Sequence, residues 1–334
     1  MIIHLNKDAT EIEINSIYTV LKEIKYKPSL VDTRNEKYIV CIGTAEFDIR
    51  AIGNMPGVSD TYRVSDSYKL VSKKWKLKYS SIDLGNETQI GAGELSIMAG
   101  PCSIENEEQV TKIVDHLVAN NVKIMRGGVY KPRSSPYSFR GMGLEGLAMF
   151  YDIAHKAGIK IISEVMDVSQ IKSMYPYVDI FQVGTRNSQN FNLLDELGQI
   201  DKPVLLKRAM NGTIEELLHS AEYIFSKGNE ELMLCERGIR TYETAYRNTF
   251  DINAIALLKE KTHLPVIADP SHGIGIRAHV PAIALAAVAA GADGIIYEVH
   301  EKPEEAASDG YQTLNFDESV KLIKRVRVLS ESLN

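Results

Sequence analysis

From Glu94 onward, short apolar runs alternate with segments of helical periodicity, and this alternation limits the possible folds more than any other feature. Eight strand-then-helix units predict a closed parallel barrel, the TIM or (β/α)8 fold. An open doubly wound sheet is the alternative, but no Gly-rich dinucleotide turn follows the first run. The eight runs are Leu95–Ala99, Val122–Arg126, Lys160–Val165, Ile180–Val183, Val204–Lys207, Leu232–Cys235, Val266–Ala268 and Ile295–Val299.

Helical spacing of apolar residues marks the segments between these runs. The predicted barrel helices include Glu105–Asn120, Leu144–Ala157, Thr213–Ser226, Asp251–Lys261, Pro281–Ala290 and Asp317–Leu329.

The first 67 residues have a different order of elements, strand, helix, two strands, helix and strand. This order predicts a ferredoxin-like βαββαβ domain. Its elements are Met1–Leu5, Thr10–Tyr26, Lys27–Asp32, Tyr38–Gly43, Glu46–Gly53 and Asp60–Ser65. The lysine-rich stretch Tyr68–Lys78 is interpreted as a solvated connector. A hairpin of Ser81–Leu84 and Gln89–Ala92 then caps the barrel, so the predicted domains are residues 1–67, a linker and hairpin at 68–93, and the barrel at 94–334.

Charge and apolar length exclude two classes of partner. The formal net charge of −6 argues against nucleic-acid binding, because the cations occur in short motifs and not across a wide basic surface. The most apolar stretch, near Val280–Ala290, is shorter than the roughly 20 residues of a membrane span. Three cysteines cannot form a fully paired disulfide framework, and no leader pattern opens the sequence, so we expect a cytoplasmic protein.

Positive side chains follow four predicted strands, the second, fourth, fifth and sixth. Active sites of such barrels lie at the C-terminal ends of the strands, so these cations should converge on one arc. Arginine offers bidentate contacts to phosphate or carboxylate, and lysine a point charge. The sequence therefore predicts a site for a small phosphorylated acid. The cations are Arg126 with Lys131 and Arg133, then Arg186, Lys207 with Arg208, and Arg237.

Potential metal ligands follow the first, seventh and eighth strands, which barrel closure makes neighbours. Cys102, His272 and Glu298 occupy these positions, and Asp309 in a later loop can add a fourth donor. Each residue alone is as easily an ordinary buried or rim side chain, but their coincidence on adjacent strand ends favours a divalent metal site. This mixed donor set suits Mn, Fe, Co or Zn.

Several motifs carry a specific resemblance. They are Gly100-Pro101-Cys102-Ser103, Arg126-Gly127-Gly128, the segment Lys131 to Gly141, Gly184-Thr185-Arg186-Asn187, Leu205-Leu206-Lys207-Arg208, Cys235-Glu236-Arg237-Gly238 and Asp269-Pro270-Ser271-His272. Together they resemble 3-deoxy-D-arabino-heptulosonate 7-phosphate (DAHP) synthase, in the type I beta subfamily with an N-terminal ferredoxin-like regulatory domain. The resemblance spans about Glu94 to Leu314, whereas over residues 1–67 it depends on length and topology alone.

The resemblance implies the first step of the shikimate pathway, in which phosphoenolpyruvate and erythrose 4-phosphate give a seven-carbon keto sugar phosphate and inorganic phosphate. It implies these roles: Cys102, His272, Glu298 and Asp309 bind the metal; Arg126, Lys131, Arg186, Lys207 and Arg237 hold phosphoenolpyruvate beside the Gly184–Thr185 backbone; Pro132, Arg133 and Ser134 face erythrose 4-phosphate. Ser134 replaces the usual Thr and Thr185 the usual Ala. Catalysis is assigned to Lys131, Cys102 and His272, with Lys131 preferred over Glu298 or His300 for proton transfer.

Two other functions stay open. A 3-deoxy-octulosonate 8-phosphate synthase shares the barrel chemistry, but that family typically carries Ala-Asn-Arg-Ser where this chain has Lys131-Pro132-Arg133-Ser134. A non-catalytic anion-sensing barrel is the second alternative, and the complete metal set argues against it. The resemblance also implies a homotetramer, and feedback inhibition by tyrosine or phenylalanine at the N-terminal domain is our hypothesis.

Overall fold

The computed structural model describes residues 1–91, 93–132 and 137–333. Its N-terminal unit is the predicted βαββαβ arrangement, a four-stranded antiparallel sheet of order β2-β3-β1-β4 with two helices. The elements are β1 (Ile2–Leu5), α1 (Glu11–Glu23), β2 (Lys27–Asp32), β3 (Lys37–Ile42), α2 (Arg50–Gly53) and β4 (Val58–Tyr62).

Local hydrogen bonds explain the two N-terminal helices. Thr10 and Glu13 form a capping box that begins α1, with the Glu13 carboxylate accepting from the Thr10 backbone N–H at 2.8 Å. The prediction that the second helix begins at Glu46 was wrong, since α2 is a single turn from Arg50. The Asp48 carboxylate accepts from the Arg50 N–H at 3.0 Å, a local bond that competes with a longer helix.

The remainder is a two-stranded hairpin, β5 (Ile82–Asp83) with β6 (Gln89–Ile90), followed by the predicted closed barrel of eight parallel strands. The barrel elements are β7 (Ser96–Gly100), α3 (Glu107–Ala119), β8 (Ile124–Arg126), α4 (Gly143–Lys156), β9 (Lys160–Val165), α5 (Val168–Met174), β10 (Ile180–Val183), α6 (Phe191–Leu197), β11 (Val204–Lys207), α7 (Ile214–Ser226), β12 (Leu232–Glu236), α8 (Ile252–Lys261), β13 (Val266–Ala268), α9 (Pro270–Ile274), α10 (Val280–Ala289), β14 (Gly294–Glu298) and α11 (Phe316–Leu333).

Closure pairs β14 with β7, and Glu298 lies opposite Gly100. The first, seventh and eighth barrel strands are therefore neighbours, as predicted. The interior is filled by apolar side chains of the strands, and Ile82 and Ile90 of the hairpin pack against them from the N-terminal end. The hairpin therefore closes the floor of the barrel, and the strands' C-terminal ends form its mouth.

The lysine-rich linker is not a solvated connector, contrary to the prediction. Tyr68, Leu70, Val71 and Trp75 are buried, and we call residues 68–76 the strap. The Glu222 carboxylate on α7 accepts from the backbone N–H groups of Leu70 and Val71 at 2.9 and 3.1 Å. The strap is therefore fixed along a barrel helix by both apolar burial and backbone hydrogen bonds.

The N-terminal unit packs near the barrel floor, away from the mouth of its own barrel. Tyr38 contacts Trp75 of the strap edge to face, with 5.1 Å between ring centroids, and lies 6.5 Å from Phe225 at the end of α7. Asn35 donates to Glu230, which precedes β12, at 2.5 Å. Within one chain, then, this unit does not cover the mouth. No helix in the described parts of the chain has the length and apolar character needed to cross a bilayer.

Candidate active site

A cavity of about 190 Å³ opens at the C-terminal ends of the barrel strands. Eight of the predicted substrate-binding residues line it: Arg126, Lys131, Pro132, Gly184, Thr185, Arg186, Lys207 and Arg237. Arg133 and Ser134, also predicted, lie outside the described residues. The structure thus brings five cations from four different strand ends to one small volume, while their individual roles stay predictions.

Three of the four predicted metal ligands form a tight group. Donor atoms of Cys102, Glu298 and Asp309 all lie within 4.8 Å of one another. His272 is not in that group, but its Nε2 lies 3.4 Å from Glu298 Oε1 and 3.8 Å from Asp309 Oδ2. The imidazole nitrogen therefore lies beside the two carboxylates of the group, and the combined sulfur, nitrogen and oxygen donors are of types that suit a divalent transition metal.

The helix that carries His272 fixes its ring. Asp269 begins α9, and its Oδ1 accepts from the His272 backbone N–H at 3.1 Å. Asp269 Oδ2 lies 2.8 Å from His272 Nδ1, so Nε2 is the ring nitrogen that faces Glu298 and Asp309. A carboxylate that accepts from the far ring nitrogen is the usual support of a metal-binding histidine; here Asp269 approaches Nδ1 closely, but the contact does not have hydrogen-bond geometry. Burial lowers the pKa of His272, which favours the neutral imidazole that binds metals.

Lys131 connects the cations to the metal donors. Its Nζ donates to the Cys102 carbonyl at 2.8 Å and lies 3.1 Å from Cys102 Sγ. Burial and the nearby Glu298 charge raise the pKa of the Cys102 thiol to about 11, and Lys131 opposes this rise. Without a bound metal ion the sulfur is thus protonated at neutral pH, and binding of a metal ion would release that proton.

Two buried ion pairs join the cavity cations to the predicted metal ligands and to Asp269 behind His272. Arg126 Nη1 donates to Glu298 Oε1 at 3.1 Å, and Lys207 Nζ donates to Asp269 Oδ2 at 2.5 Å. The clustered cations are therefore partly neutralised without a ligand. The cations and the predicted metal ligands are therefore electrostatically coupled, whereas the sequence analysis treated them as two independent groups.

Arg208 does not belong to the cation arc, contrary to the prediction. Its guanidinium pairs with Glu236 and Asp251, each at 2.9 Å, and donates to the Gly212 carbonyl at 3.0 Å. Successive strand residues point to opposite faces, so Lys207 enters the cavity while Arg208 is directed away from it. Thr185, which lines the cavity, holds the Arg208 backbone in place, since its hydroxyl donates to the Arg208 carbonyl at 2.8 Å.

Several cavity residues had no signal in the sequence. Glu164 lies within a strand, and Arg240, Arg247 and Asn248 lie in the loop after β12.

Burial alone would raise the pKa of Asp309, but His272, Arg247 and Lys131 hold it at about 2. His300, the less favoured proton-transfer candidate, lines a separate depression with Glu105 and Lys112.

Glycines allow the strand ends to approach closely. A Cβ on Gly100 would lie 1.9 Å from the Arg126 carbonyl oxygen, so no larger residue fits between β7 and β8. Gly275 ends α9 with φ of 69°, and a Cβ there would lie 2.4 Å from Arg247 Cβ. These contacts bring Cys102 next to Arg126, and the Arg247 loop against the His272 helix.

A closed (β/α)8 barrel with clustered cations in its mouth, beside a group of thiol, imidazole and carboxylate side chains, defines a class, that of barrel enzymes with the active site at the C-terminal ends of the strands. The sequence model of the DAHP synthetase I family matches residues 76–334. The chain belongs to this family, which confirms the predicted resemblance to DAHP synthase.

Individual relatives agree. A phospho-2-dehydro-3-deoxyheptonate aldolase of Thermotoga maritima is 41% identical over 334 residues, covering 100% of this chain and 98% of the relative. A 2-dehydro-3-deoxyphosphooctonate aldolase of Desulfatibacillum aliphaticivorans is 31% identical over 258 residues, 71% of this chain and 93% of its own. The octulosonate relative is thus more distant than the heptonate one.

Solved structures give the same result. The crystal structure of the Thermotoga maritima phospho-2-dehydro-3-deoxyheptonate aldolase (DAHP synthase) aligns with a TM-score of 0.80 at 40% identity, covering 99% of this chain and 97% of that one. A truncated form of the Thermotoga maritima enzyme aligns with a TM-score of 0.75 at 43% identity, covering 80% of this chain and 98% of that one.

Proposed function

We propose that this protein is a 3-deoxy-7-phosphoheptulonate synthase that condenses phosphoenolpyruvate with erythrose 4-phosphate and releases phosphate. The observation that carries the proposal is the junction of five cavity cations with the Cys102, His272, Glu298 and Asp309 cluster. A phosphorylated carboxylic acid matches the cations, and an aldehyde matches the Lewis-acidic side.

In the proposed binding mode, phosphoenolpyruvate lies against the deepest cations. Arg126, Lys207 and Arg237 are each no more than 5% exposed, so their charges act in a medium that screens them weakly. Burial lowers the pKa of Arg237, which lacks a close acidic partner among the described contacts. The substrate's phosphate and carboxylate would supply that partner.

Holding both substrates in one cavity aligns C3 of phosphoenolpyruvate with the aldehyde carbon of erythrose 4-phosphate. Cys102, His272, Glu298 and Asp309 would hold a divalent ion, which supplies Lewis-acid polarisation of the aldehyde when bound. The C2=C3 π electrons of phosphoenolpyruvate would form the new C–C bond, and Lys131 Nζ, beside Cys102 Sγ at 3.1 Å, would give a proton to the aldehyde oxygen as it becomes a hydroxyl. Water would add at the electron-deficient C2 and lose one proton to Glu164 in the cavity wall. Phosphate would then depart with C–O cleavage and carry away the remaining hydroxyl proton, which leaves the ketone.

Turnover assays test this function. The enzyme with Mn should release phosphate from phosphoenolpyruvate only when erythrose 4-phosphate is present, and should form the seven-carbon product. Equal or better turnover with arabinose 5-phosphate would instead indicate the octulosonate synthase. Binding of phosphoenolpyruvate without phosphate release under any metal would indicate a non-catalytic sensing barrel.

For the N-terminal unit we propose feedback control by tyrosine or phenylalanine, and for the whole protein a homotetramer in the cytoplasm. Feedback control is supported by the unit's ferredoxin-like topology and by its attachment through the strap to α7, whose preceding loop carries the cavity residue Met210. The tetramer is what the family resemblance implies. A chain starting at Tyr68 retains the strap and is the suitable truncation. It should keep turnover and lose inhibition, and inhibition that persists would exclude the proposal.

A further inference from the structure

Gln312, in the loop after β14, lies buried behind the metal donors and is only 3% exposed. Its Nε2 donates to Glu298 Oε2 at 2.7 Å, and its Oε1 accepts from Arg247 Nη1 at 2.7 Å. Both ends of the amide are therefore used by side chains of the candidate site.

The neighbours fix the direction of this amide. An ionised carboxylate can only accept hydrogen bonds and a guanidinium can only donate them. The NH₂ group must therefore face Glu298 and the carbonyl oxygen must face Arg247. A reversed amide would lose both bonds at once, so Gln312 has one stable orientation.

This orientation helps to fix how the Glu298 carboxylate is turned. Oε2 accepts from Gln312, whereas Oε1 accepts from Arg126 Nη1 at 3.1 Å and lies 3.4 Å from His272 Nε2 on the side of the other donors. Through Arg247 the same amide also reaches Asp309, because the Arg247 guanidinium lies 3.5 Å from Asp309 Oδ2. Gln312 thus connects the two carboxylates of the donor group.

We propose that Gln312 is a positioning residue that sets the Glu298 and Asp309 carboxylates for a divalent metal ion. This inference depends on the metal site of the proposed function. Removing an outer residue that orients a metal ligand typically weakens metal binding about 10–100-fold, and we expect a loss of that size here.

The test uses Gln312→Met, which keeps the length of the side chain but removes both hydrogen bonds. Apoenzyme is titrated with Co(II) against a chromophoric chelator, and the thiolate-to-cobalt absorption band is recorded. We expect the dissociation constant for Co(II) to rise about 10–100-fold, with an altered band. Gln312→Asn retains a buried amide but is too short to reach Glu298 and Arg247 together, so it should weaken binding in the same direction.

Gln109→Met is the matched control. Gln109 is also buried, at 8% exposure. Its side chain donates to the Ser103 carbonyl and accepts from the Glu105 N–H, and none of its described hydrogen bonds reaches Cys102, His272, Glu298 or Asp309. The dissociation constant of Gln109→Met for Co(II) should equal that of the wild type. Thermal unfolding of each apoprotein is measured in parallel to show that the variants are folded.

The outcomes separate the inference from the function on which it depends. If the wild type binds no Co(II), the proposed metal site itself is wrong. If the wild type binds Co(II) and folded Gln312→Met or Gln312→Asn binds it equally well, the positioning role is wrong. Equal weakening in Gln109→Met would reduce the effect to general loss of packing and would also overturn the role.

Discussion

Lys207 and Asp269 form a buried ion pair across the candidate site, with Nζ 2.5 Å from Oδ2 and both side chains at most 5% exposed. Asp269 also stands behind the His272 ring. Burial alone would raise the pKa of Asp269, but His272 and Lys207 hold it well below its ordinary range. One carboxylate therefore supports both a cavity cation and a predicted metal ligand.

Replacing Asp269 by Asn should destabilise the fold strongly. Asn keeps the helix cap but leaves the Lys207 charge buried without its partner, and breaking such a pair typically costs about 3–5 kcal/mol. Asp251→Asn is the control, because Asp251 also caps a helix while its side chain is 20% exposed and Arg208 keeps Glu236. Urea denaturation measures both, and equal losses would contradict the argument.

Cys102→Ala should abolish metal-dependent turnover and leave the fold intact. Cys102 supplies the sulfur donor of the candidate cluster, and the variant keeps every charged side chain around it. Cys235→Ala serves as control, since Cys235 packs among the apolar residues inside the barrel. Metal content and turnover are measured after chelation and re-addition of metal. Wild-type activity in Cys102→Ala would refute the ligand assignment.

Gly100→Ala should prevent normal packing of β7 on β8. The added methyl would overlap the Arg126 carbonyl oxygen, and we expect a loss of at least about 3 kcal/mol, the upper part of the usual overpacking range. Gly158→Ala is the comparison, because a Cβ there meets nothing within 4 Å and only its φ of 76° is unfavourable. That change should cost about 1–2 kcal/mol. Similar unfolding midpoints for Gly100→Ala and Gly158→Ala would show that β7 and β8 can move apart at little cost in stability.

His263 should make stability depend on pH. Burial, with Lys76 nearby, lowers its pKa from 6.5 to about 3. The neutral ring bonds the Leu70 carbonyl through Nε2 and Ser80 through Nδ1, each at 2.8 Å. The unfolded chain gains a proton below pH 6.5 and the folded chain does not, so stability present above 6.5 is lost as pH falls toward 3.

The loss should approach 1.4 kcal/mol per pH unit in this window, by the free energy of one pKa unit, about 1.36 kcal/mol. His263→Gln can still donate to Leu70 but does not titrate. Unfolding free energies of the two proteins, measured from pH 7 to about 4, should therefore converge as pH falls. Parallel curves would mean that His263 is protonated in the folded state.

The sequence predicted the barrel well because most of the parallel strands are apolar runs, with Ser163 and Glu164 in β9 and Gln182 in β10 as polar interruptions. The hidden parts are those without a local pattern. Helices α5, α6 and α9 have seven, seven and five residues, too short to show a helical period. The strap looked solvated because its lysines alternate with the apolar residues that it buries.

The site shows the same division. Cys102, His272 and Glu298 could be found because they end adjacent strands, whose geometry is known once the barrel is known. Gln312 and Arg247 come from loops, where only the folded chain shows which side chains meet. The error at Arg208 could have been avoided by the two-residue period of strands.

The hairpin β5–β6 covers the floor of the barrel, so among the described residues the candidate site opens at the mouth. Both reactants of the proposed synthesis would enter there, and the most deeply buried cations, Arg126, Lys207 and Arg237, are the ones proposed to bind phosphoenolpyruvate. We therefore expect the acid to bind before the aldose, because an aldose phosphate bound nearer the mouth would obstruct the path to these cations.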